Sequence, residues 1–131
     1  MEGEPTKPME QVILDDGRYP PEAFGFLYDA LGKAVRDFHG QGVGPGAQRH
    51  VSGRQLCESL RDLAIHRWGQ LARTVLAKWN VHETIDFGSM VFLLVEAGFM
   101  RATEQDNIED FRDVYDFDET FGAKGEFELK E

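Results

Sequence analysis

The residues best suited to chemistry lie in one acidic stretch near the end of the chain. Residues 104–121 contain eight carboxylates, four aromatic rings and one arginine. Clustered carboxylates suit Ca²⁺, and an EF-hand loop needs glycine at position 6 and glutamate at position 12. A loop that starts at Asp116 places Phe121 and Phe127 at these two positions. Both requirements fail, so the stretch does not predict a calcium site, and we expect no cofactor.

The histidines and the single cysteine give no metal or catalytic signature. His39, His50, His66 and His82 stand at no recognised ligand spacing. Cys57 borders an apolar helical stripe, and a nucleophilic thiol needs a depressed pKa and a partnered base. We interpret Cys57 as a small buried filler, and we expect a protein that is not an enzyme.

Arginines in the middle of the chain form the main cationic feature. Residues 33–78 carry eight bases and three acids, a net charge of +5, whereas residues 79–131 carry −10. A basic surface is what nucleic acid requires. The basic block therefore keeps nucleic-acid binding open as an alternative, with a candidate patch that consists of Arg49, Arg54, Arg61 and Arg73.

Apolar periodicity predicts four helices that position these residues. They are expected at residues 21–39, 53–68, 70–79 and from Thr84 to Gly98. Ser52 and Gln55 form a capping box before the second helix, and Gly69 is expected to end it. Asn80 is a candidate left-handed terminator for the third helix. Thr84 is expected to cap the fourth helix.

The acidic stretch is predicted to form a β-hairpin. Phe111, Tyr115 and Phe117 fall on alternate positions with Asp113, a period typical of a strand. The same letters also allow a helix capped at Asp106, which stays an alternative. The fold class predicted from this element order is mainly α with a small C-terminal β-hairpin, a winged-helix-like single domain of about four helices.

The domain is expected to span residues 12–121. Residues 1–11 are predicted to be disordered, residues 39–49 to form a flexible Gly-rich loop, and residues 122–131 to be a loose tail. The N-terminus shows no basic region followed by an apolar one, and no stretch approaches the roughly 20 apolar residues of a membrane span. One cysteine suits a reducing interior. We expect a cytoplasmic protein with no membrane partner.

Four segments carry a resemblance to a known family. They are "YPPEAFGFLYDAL", "RHVSGRQLCESLRDLAIHRWGQLARTVLAKW", "TIDFGSMVFLLVEAGFM" and "EDFRDVYDFDETF". Over about residues 19–121 the chain resembles a conserved hypothetical family largely restricted to Planctomycetes and Verrucomicrobia, whose function is uncharacterised. The resemblance implies a bacterial cytoplasmic protein and supplies no catalytic residues.

The leading functional hypothesis is a non-catalytic protein-interaction module. An unknown protein partner, or a second copy in a homodimer, is expected to meet the fourth predicted helix and the acidic aromatic segment. In that helix Met90 to Val95 are six apolar residues in a row, which suits the central core element or half of a dimer interface. The candidate contact residues are Phe111, Tyr115, Phe117, Asp113, Asp116 and Asp118.

The alternative is a nucleic-acid-associated regulator that uses the basic residues of the predicted helices at 53–68 and 70–79. The acidic segment would then compete internally for those bases. Residues 84–100 contain no Lys or Arg, so nucleic acid is disfavoured at the usual winged-helix face. Whether the acidic segment docks on its own chain or on another molecule stays open at this point.

Overall fold

The computed structural model describes residues 7–39 and 50–122, and every regular element in these ranges is helical. Helix α1 begins inside the stretch 1–11 that the sequence predicts to be disordered. No helix in the described part is long and apolar enough to cross a membrane. The elements are α1 (Met9–Asp16), α2 (Pro21–His39), α3 (Gly53–Trp68), α4 (Ala72–Lys78), α5 (Thr84–Glu96) and α6 (Phe117–Thr120), with 3₁₀ turns at Gly69–Leu71 and Ile108–Phe111.

Local capping chemistry sets several helix boundaries as predicted. Ser52 Oγ accepts from the Gln55 N–H (3.1 Å), and the Gln55 side chain accepts from the Ser52 N–H (3.0 Å), which confirms the capping box. Gly69 (φ 52°) ends α3, and Asn80 (φ 66°) lies just beyond α4. Both predicted terminators therefore adopt positive φ, as a chain that leaves a helix often does.

The start of α5 differs from the prediction that Thr84 caps it. Glu83 is the cap, and Thr84 is the first helical residue. The Asp86 carboxylate accepts from the backbone N–H groups of His82 (2.8 Å) and Glu83 (3.1 Å). The Tyr19 hydroxyl donates to the same carboxylate (2.7 Å). Asp86 therefore binds the backbone of the cap residue and of the residue before it, and the Thr84 hydroxyl makes its bonds elsewhere.

The core lies where α2, α3 and α5 pack together. Each helix contributes apolar residues three or four positions apart, the spacing of one helical face. An aromatic group closes the side near α4, with the Phe26 and Trp68 ring centroids 5.0 Å apart and those of Trp68 and Trp79 5.4 Å apart. The buried residues on the three central helices include Leu27, Ala30, Ala34, Leu56, Leu60, Ala64, Phe87, Met90 and Leu94.

The predicted C-terminal β-hairpin is wrong, since residues 7–39 and 50–122 contain no strand. Asn107 Oδ1 accepts from the Glu109 N–H (2.8 Å) and starts the second 3₁₀ turn. Asp116 Oδ1 accepts from the Glu119 N–H (3.0 Å) and starts α6. Asp113 between them has φ 51°, far from the extended region. Short polar side chains have captured the N–H groups that a strand would need.

The winged-helix-like class fails together with the hairpin, because the hairpin was to be the wing. The mainly α part of the prediction is confirmed. The alternate spacing of Phe111, Tyr115 and Phe117 suggested a strand, yet tight turns between short helical pieces direct the same rings toward the core. Side-chain period alone does not distinguish these two solutions over so short a run.

Candidate functional site

The acidic segment, residues 104–121, folds against helices of its own chain. Phe117 and Phe121 are 3% and 2% exposed. The Phe117 ring centroid lies 6.0 Å from that of Phe87 on α5, 6.0 Å from that of Tyr115 and 5.1 Å from that of Phe121. We call these four rings the ring cluster. Burial of a large apolar side chain contributes roughly 1.5–3 kcal/mol, so the rings dominate the docking.

Phe111 enters the core between two helices at positions where glycine allows close approach. A Cβ on Gly53, the first residue of α3, would lie 2.9 Å from the Phe111 ring. A Cβ on Gly88, inside α5, would lie equally close. The Phe111 ring also meets the edge of Phe92, with centroids 6.4 Å apart. Because neither glycine has a side chain, Phe111 can seat between α3 and α5.

Two hydroxyl groups hold the acidic segment in position, one on α5 and one on the segment itself. Thr84 Oγ1 donates to the Phe111 carbonyl (2.6 Å) and accepts from the Val114 N–H (3.1 Å). The Tyr115 hydroxyl donates to the Cys57 carbonyl on α3 (2.6 Å). Burial raises the pKa of Tyr115, so this hydroxyl stays protonated and able to donate. The segment is therefore held by specific hydrogen bonds as well as by apolar contact.

Arginines of α3 and α4 contact the acidic segment within the same chain. The Arg61 guanidinium lies 5.8 Å from the Tyr115 ring centroid, and that of Arg73 lies 5.7 Å from the Phe117 ring centroid. Arg73 Nε is also 3.2 Å from Asp118 Oδ1. Cations at such distances are attracted by the faces of aromatic rings. The acidic segment thus faces its own arginines.

The six residues predicted to contact a partner divide into rings turned inward and exposed carboxylates. The rings already contact the protein's own helices, so a partner can reach mainly the carboxylates. The rings are Phe111 and Phe117, which are buried, and Tyr115, which is half-buried, whereas Asp113, Asp116 and Asp118 are exposed.

The candidate basic patch is spread over α3 and α4, and Arg49 lies outside the described residues. The other three arginines each lie beside a carboxylate of the chain. Exposed ion pairs contribute only about 0–1 kcal/mol, so a strong external anion could still compete for them. The pairs are Arg54–Glu58 (3.5 Å), Arg61–Asp62 (2.9 Å) and Arg73–Asp118 (3.2 Å).

Phe111 also lines an open groove. It has a volume of about 610 Å³ and lies between α2, the start of α3, α5 and the loop 99–110. Pockets that enclose small ligands or side chains usually measure about 300–1,000 Å³. We call this cavity the groove, and its apolar walls include Tyr28, Leu31, Val91, Phe92, Val95 and Phe99.

Polar groups gather along one rim of the groove. His50 Nε2 lies 2.9 Å from Asp106 Oδ1, and Asp106 Oδ2 accepts from the Thr103 N–H (2.7 Å). These contacts tie the loop to the start of α3. Asp110 and Arg101 also line the groove, and both are exposed. The groove therefore combines apolar walls with a charged rim, an arrangement typical of binding sites.

The titratable groups of the described residues form no catalytic or metal arrangement that we can identify. No group of three or more His, Cys, Asp or Glu residues in ranges 7–39 and 50–122 could hold a metal ion. Burial raises the pKa of the Cys57 thiol to about 12, so the thiol is protonated near neutral pH. His66 is exposed on α3.

Sequence reasoning predicted the helix of Met90 to Val95 as a contact element but did not predict the groove. Its signal was that run of six apolar residues, which covers every side of a helix. The structure buries Met90 and Leu94 in the core and leaves Val91, Phe92 and Val95 on the groove wall. A helix with more apolar faces than its neighbours can cover leaves such a surface exposed, and α5 is a helix of this kind.

No protein-family model, curated protein or solved structure matches the chain. The class of protein therefore rests on the fold and the site: a helical domain with one docked aromatic segment and one open apolar groove. The resemblance to the family of Planctomycetes and Verrucomicrobia stays a prediction.

Proposed function

We propose that the protein is a non-catalytic protein-interaction module that receives an apolar part of its partner in the groove. The observation that carries the proposal is the groove itself, with a volume of about 610 Å³ and mostly apolar walls that residues 7–39 and 50–122 leave accessible. Apolar surface left accessible in one place is costly in water and commonly marks a site of interaction.

The walls of the groove are built on rigid elements, which supports a preformed binding surface. Val91, Phe92 and Val95 project from α5, and Phe111 is seated between α3 and α5. The Thr84 hydroxyl holds the Phe111 backbone (2.6 Å). A surface fixed in this way loses little conformational entropy when a partner binds.

The acidic segment then has two roles in the proposal. Its rings stabilise the fold and shape the groove, since Phe111 belongs to the core and to the groove wall. Its exposed carboxylates, such as Asp113 and Asp116, lie on the surface and are available to a partner that also occupies the groove.

The alternative proposal is a nucleic-acid-associated regulator in which the acidic segment competes for the basic patch. The contacts of Arg73 with Asp118 and of Arg61 with the Tyr115 ring support it, because an internal competitor would make such contacts. Asp118→Asn should then increase salt-dependent binding of a DNA duplex. Unchanged binding, measured by fluorescence anisotropy, would remove this alternative.

A matched pair of variants tests the proposed function. Val95→Trp fills the groove, whereas Ile65→Trp adds the same ring on the outer face of α3, where Ile65 is 44% exposed. Wild-type protein and both variants are used as bait in a native lysate. We expect one partner to be recovered by the wild type and by Ile65→Trp and to be lost with Val95→Trp.

Circular dichroism and thermal unfolding confirm that both variants fold. Light scattering of the purified chain distinguishes a second copy in the groove from a different protein. A homodimer would be seen with the purified wild type and lost with Val95→Trp, whereas a different partner would be absent from both samples. A partner recovered equally by all three baits, or by none, would contradict the proposal.

A further inference from the structure

We infer that the partner of the groove is a basic amphipathic segment, whose apolar face enters the groove while its Lys or Arg residues lie against the acidic loop wall. The inference rests on the proposed function and names the chemistry of the partner. Binding of an amphipathic helix along an apolar groove is a recurrent mode of recognition, with anchors at i, i+3, i+4 and i+7.

Charge along the loop wall of the groove is predominantly negative. Asp106 and Asp110 line the groove, and Arg101 is the one arginine in the described lining. The loop and turn at residues 99–112 contain four acids and two arginines, a net charge of −2. The α5 wall contains no Lys or Arg. Interfaces tend to pair regions of opposite potential, and the pairing selects among partners that share the same apolar pattern. An acidic loop wall therefore selects a basic partner.

The carboxylates differ in how far they are already engaged. Asp106 is occupied by His50 and by the Thr103 N–H. Asp110 accepts one bond, from the Asn107 N–H (3.1 Å) through Oδ2, and is exposed on the groove rim. A carboxylate with an accessible oxygen can accept a charge-assisted bond from Lys or Arg. Asp110 is thus the best placed anchor for a cation.

The charges near the third wall are largely compensated within the chain. Beside Tyr28 and Leu31 on α2, Asp29 pairs with Arg67 (2.9 Å). Lys33 pairs with Asp37 (2.7 Å). The α2 wall therefore adds little net charge and does not cancel the acidic character of the loop wall.

Two basic side chains on the described rim oppose the inference, His50 and Arg101. His50 already contacts Asp106, which leaves Arg101. It is exposed and lines the same cavity as Asp110. A basic segment should therefore seat its cations on the Asp110 side and be weakened by Arg101. Substitutions at these two residues should consequently change affinity in opposite directions.

Other occupants fit the observations less well. Nucleic acid and anionic lipid headgroups carry phosphates, which the acidic loop wall repels. A second copy of the chain would bring another net charge of −10 to an acidic groove. These occupants become outcomes of the test, since each predicts a different dependence on the charge of the ligand.

The test uses labelled peptides of about 15 residues, long enough to form a helix on binding. All carry leucine at i, i+3, i+4 and i+7, and the remaining positions are mainly Lys, Glu or Gln. Fluorescence anisotropy is measured with the full chain at low and physiological salt. We expect the Lys peptide to bind at least about tenfold more tightly than the Glu peptide, with a smaller difference at higher salt.

Variants of the full chain assign the binding to the groove. Val95→Trp should weaken the Lys peptide by about tenfold or more, and Ile65→Trp should leave its affinity unchanged. Asp110→Asn, which retains the acceptor for the Asn107 N–H, should weaken the Lys peptide by about two- to fivefold. Arg101→Gln should strengthen it by a similar factor.

The outcomes separate the two proposals. Groove-dependent binding of the Glu or Gln peptide at least as tight as that of the Lys peptide overturns the basic partner and retains the interaction module. Binding of the Lys peptide that Val95→Trp leaves unchanged overturns the groove as the site in both proposals. No binding of the Lys peptide by the wild-type chain, or equal effects of Asp110→Asn and Arg101→Gln, also overturns the inference.

Discussion

The ring cluster and the groove are built from the same kinds of residue, yet only the ring cluster is filled. In the ring cluster, Phe117 and Phe121 pack beside Phe87 and are almost fully buried. In the groove, Val95 and Phe99 stay half-exposed around a cavity of about 610 Å³. Amino-acid composition therefore does not distinguish a structural surface from a binding surface. The two differ in whether the described side chains of the same chain cover them.

Phe111 joins the two regions. Its ring is 4% exposed and touches the positions of Gly53 and Gly88, and it also lines the groove. The acidic segment thus closes one apolar surface and borders the other. Substitutions in the ring cluster should therefore lower mainly stability, whereas substitutions in the groove should weaken mainly binding.

The largest effect is expected from Phe117→Ala in the ring cluster. The side chain is 3% exposed and contacts three other rings, so its removal leaves a cavity and should lower the free energy of unfolding by about 3–5 kcal/mol. Urea denaturation measures the change. Phe99→Ala on the groove wall is the matched control and should cost about 1–2 kcal/mol, because half of that side chain already meets water. Equal losses would break the distinction between the two regions.

Gly88→Ala should have the next largest effect, because Gly88 is a residue against which Phe111 packs. Its Cβ would lie 2.9 Å from Phe111 atoms, and such overpacking costs about 1–3 kcal/mol. Gly25→Ala in α2 is the control, since a Cβ there meets nothing within 4 Å. That control should stabilise the protein by about 0.4–1 kcal/mol. Stabilisation by both substitutions, in thermal or urea unfolding, would show that Phe111 is not wedged at Gly88.

Tyr115→Phe tests the polar contact of the ring cluster. Loss of the hydrogen bond to the Cys57 carbonyl (2.6 Å) should cost about 0.5–1.5 kcal/mol near neutral pH. Val91→Thr on the groove wall, which changes polarity where water has access, should cost less. A groove substitution that costs more than Tyr115→Phe in urea denaturation would contradict the comparison.

The same tyrosine gives a dependence on alkaline pH. Burial raises the pKa of Tyr115, and it raises that of Tyr19 from 10.0 to about 12. The unfolded chain then releases these protons at lower pH than the folded protein does. The contribution of these two tyrosines to the free energy of unfolding should therefore be constant below about pH 10 and fall as the pH rises toward 12. Cys57, whose pKa burial raises from 9.0 to about 12, adds a fall that begins near pH 9. Tyr115→Phe should reduce the fall, and an unchanged profile in urea titrations would indicate that Tyr115 is accessible to water.

The smallest effect is expected from Asp118→Asn, at the surface of the ring cluster. Its side chain is 83% exposed and pairs with Arg73 at 3.2 Å. Such pairs contribute about 0–1 kcal/mol and weaken with salt. The change in the free energy of unfolding should stay below about 1 kcal/mol in low salt. A larger loss would show that charge, and not ring burial, docks the acidic segment.

The sequence predicted those parts of the fold that depend on near neighbours. The helices at residues 21–39 and 53–68 have the predicted bounds. Ser52 and Gln55 cap each other over three residues, and Gly69 ends the helix as expected. The predicted helix at 70–79 is less regular, because it begins as a 3₁₀ turn before α4 (Ala72–Lys78). Capping and periodicity act over one or two turns, so local sequence carries them.

The acidic segment shows where local sequence was not enough. Its conformation depends on Thr84, which bonds Phe111 from 27 residues away, and on Cys57, which accepts from Tyr115 across 58 residues. It also depends on Gly88, whose missing side chain makes room for a ring from another part of the chain. None of these partners can be read from the alternation of letters that predicted a hairpin.

The sequence by itself thus determined the helical framework, the segregation of charge and the apolar excess on α5. Only the tertiary structure decided that the acidic segment docks on its own arginines, and that apolar surface remains open beside Arg101 and Asp110. The physical reason is that burial depends on which distant surfaces meet. Hydrophobic attraction has no direction of its own, so packing geometry alone determines which apolar faces are covered.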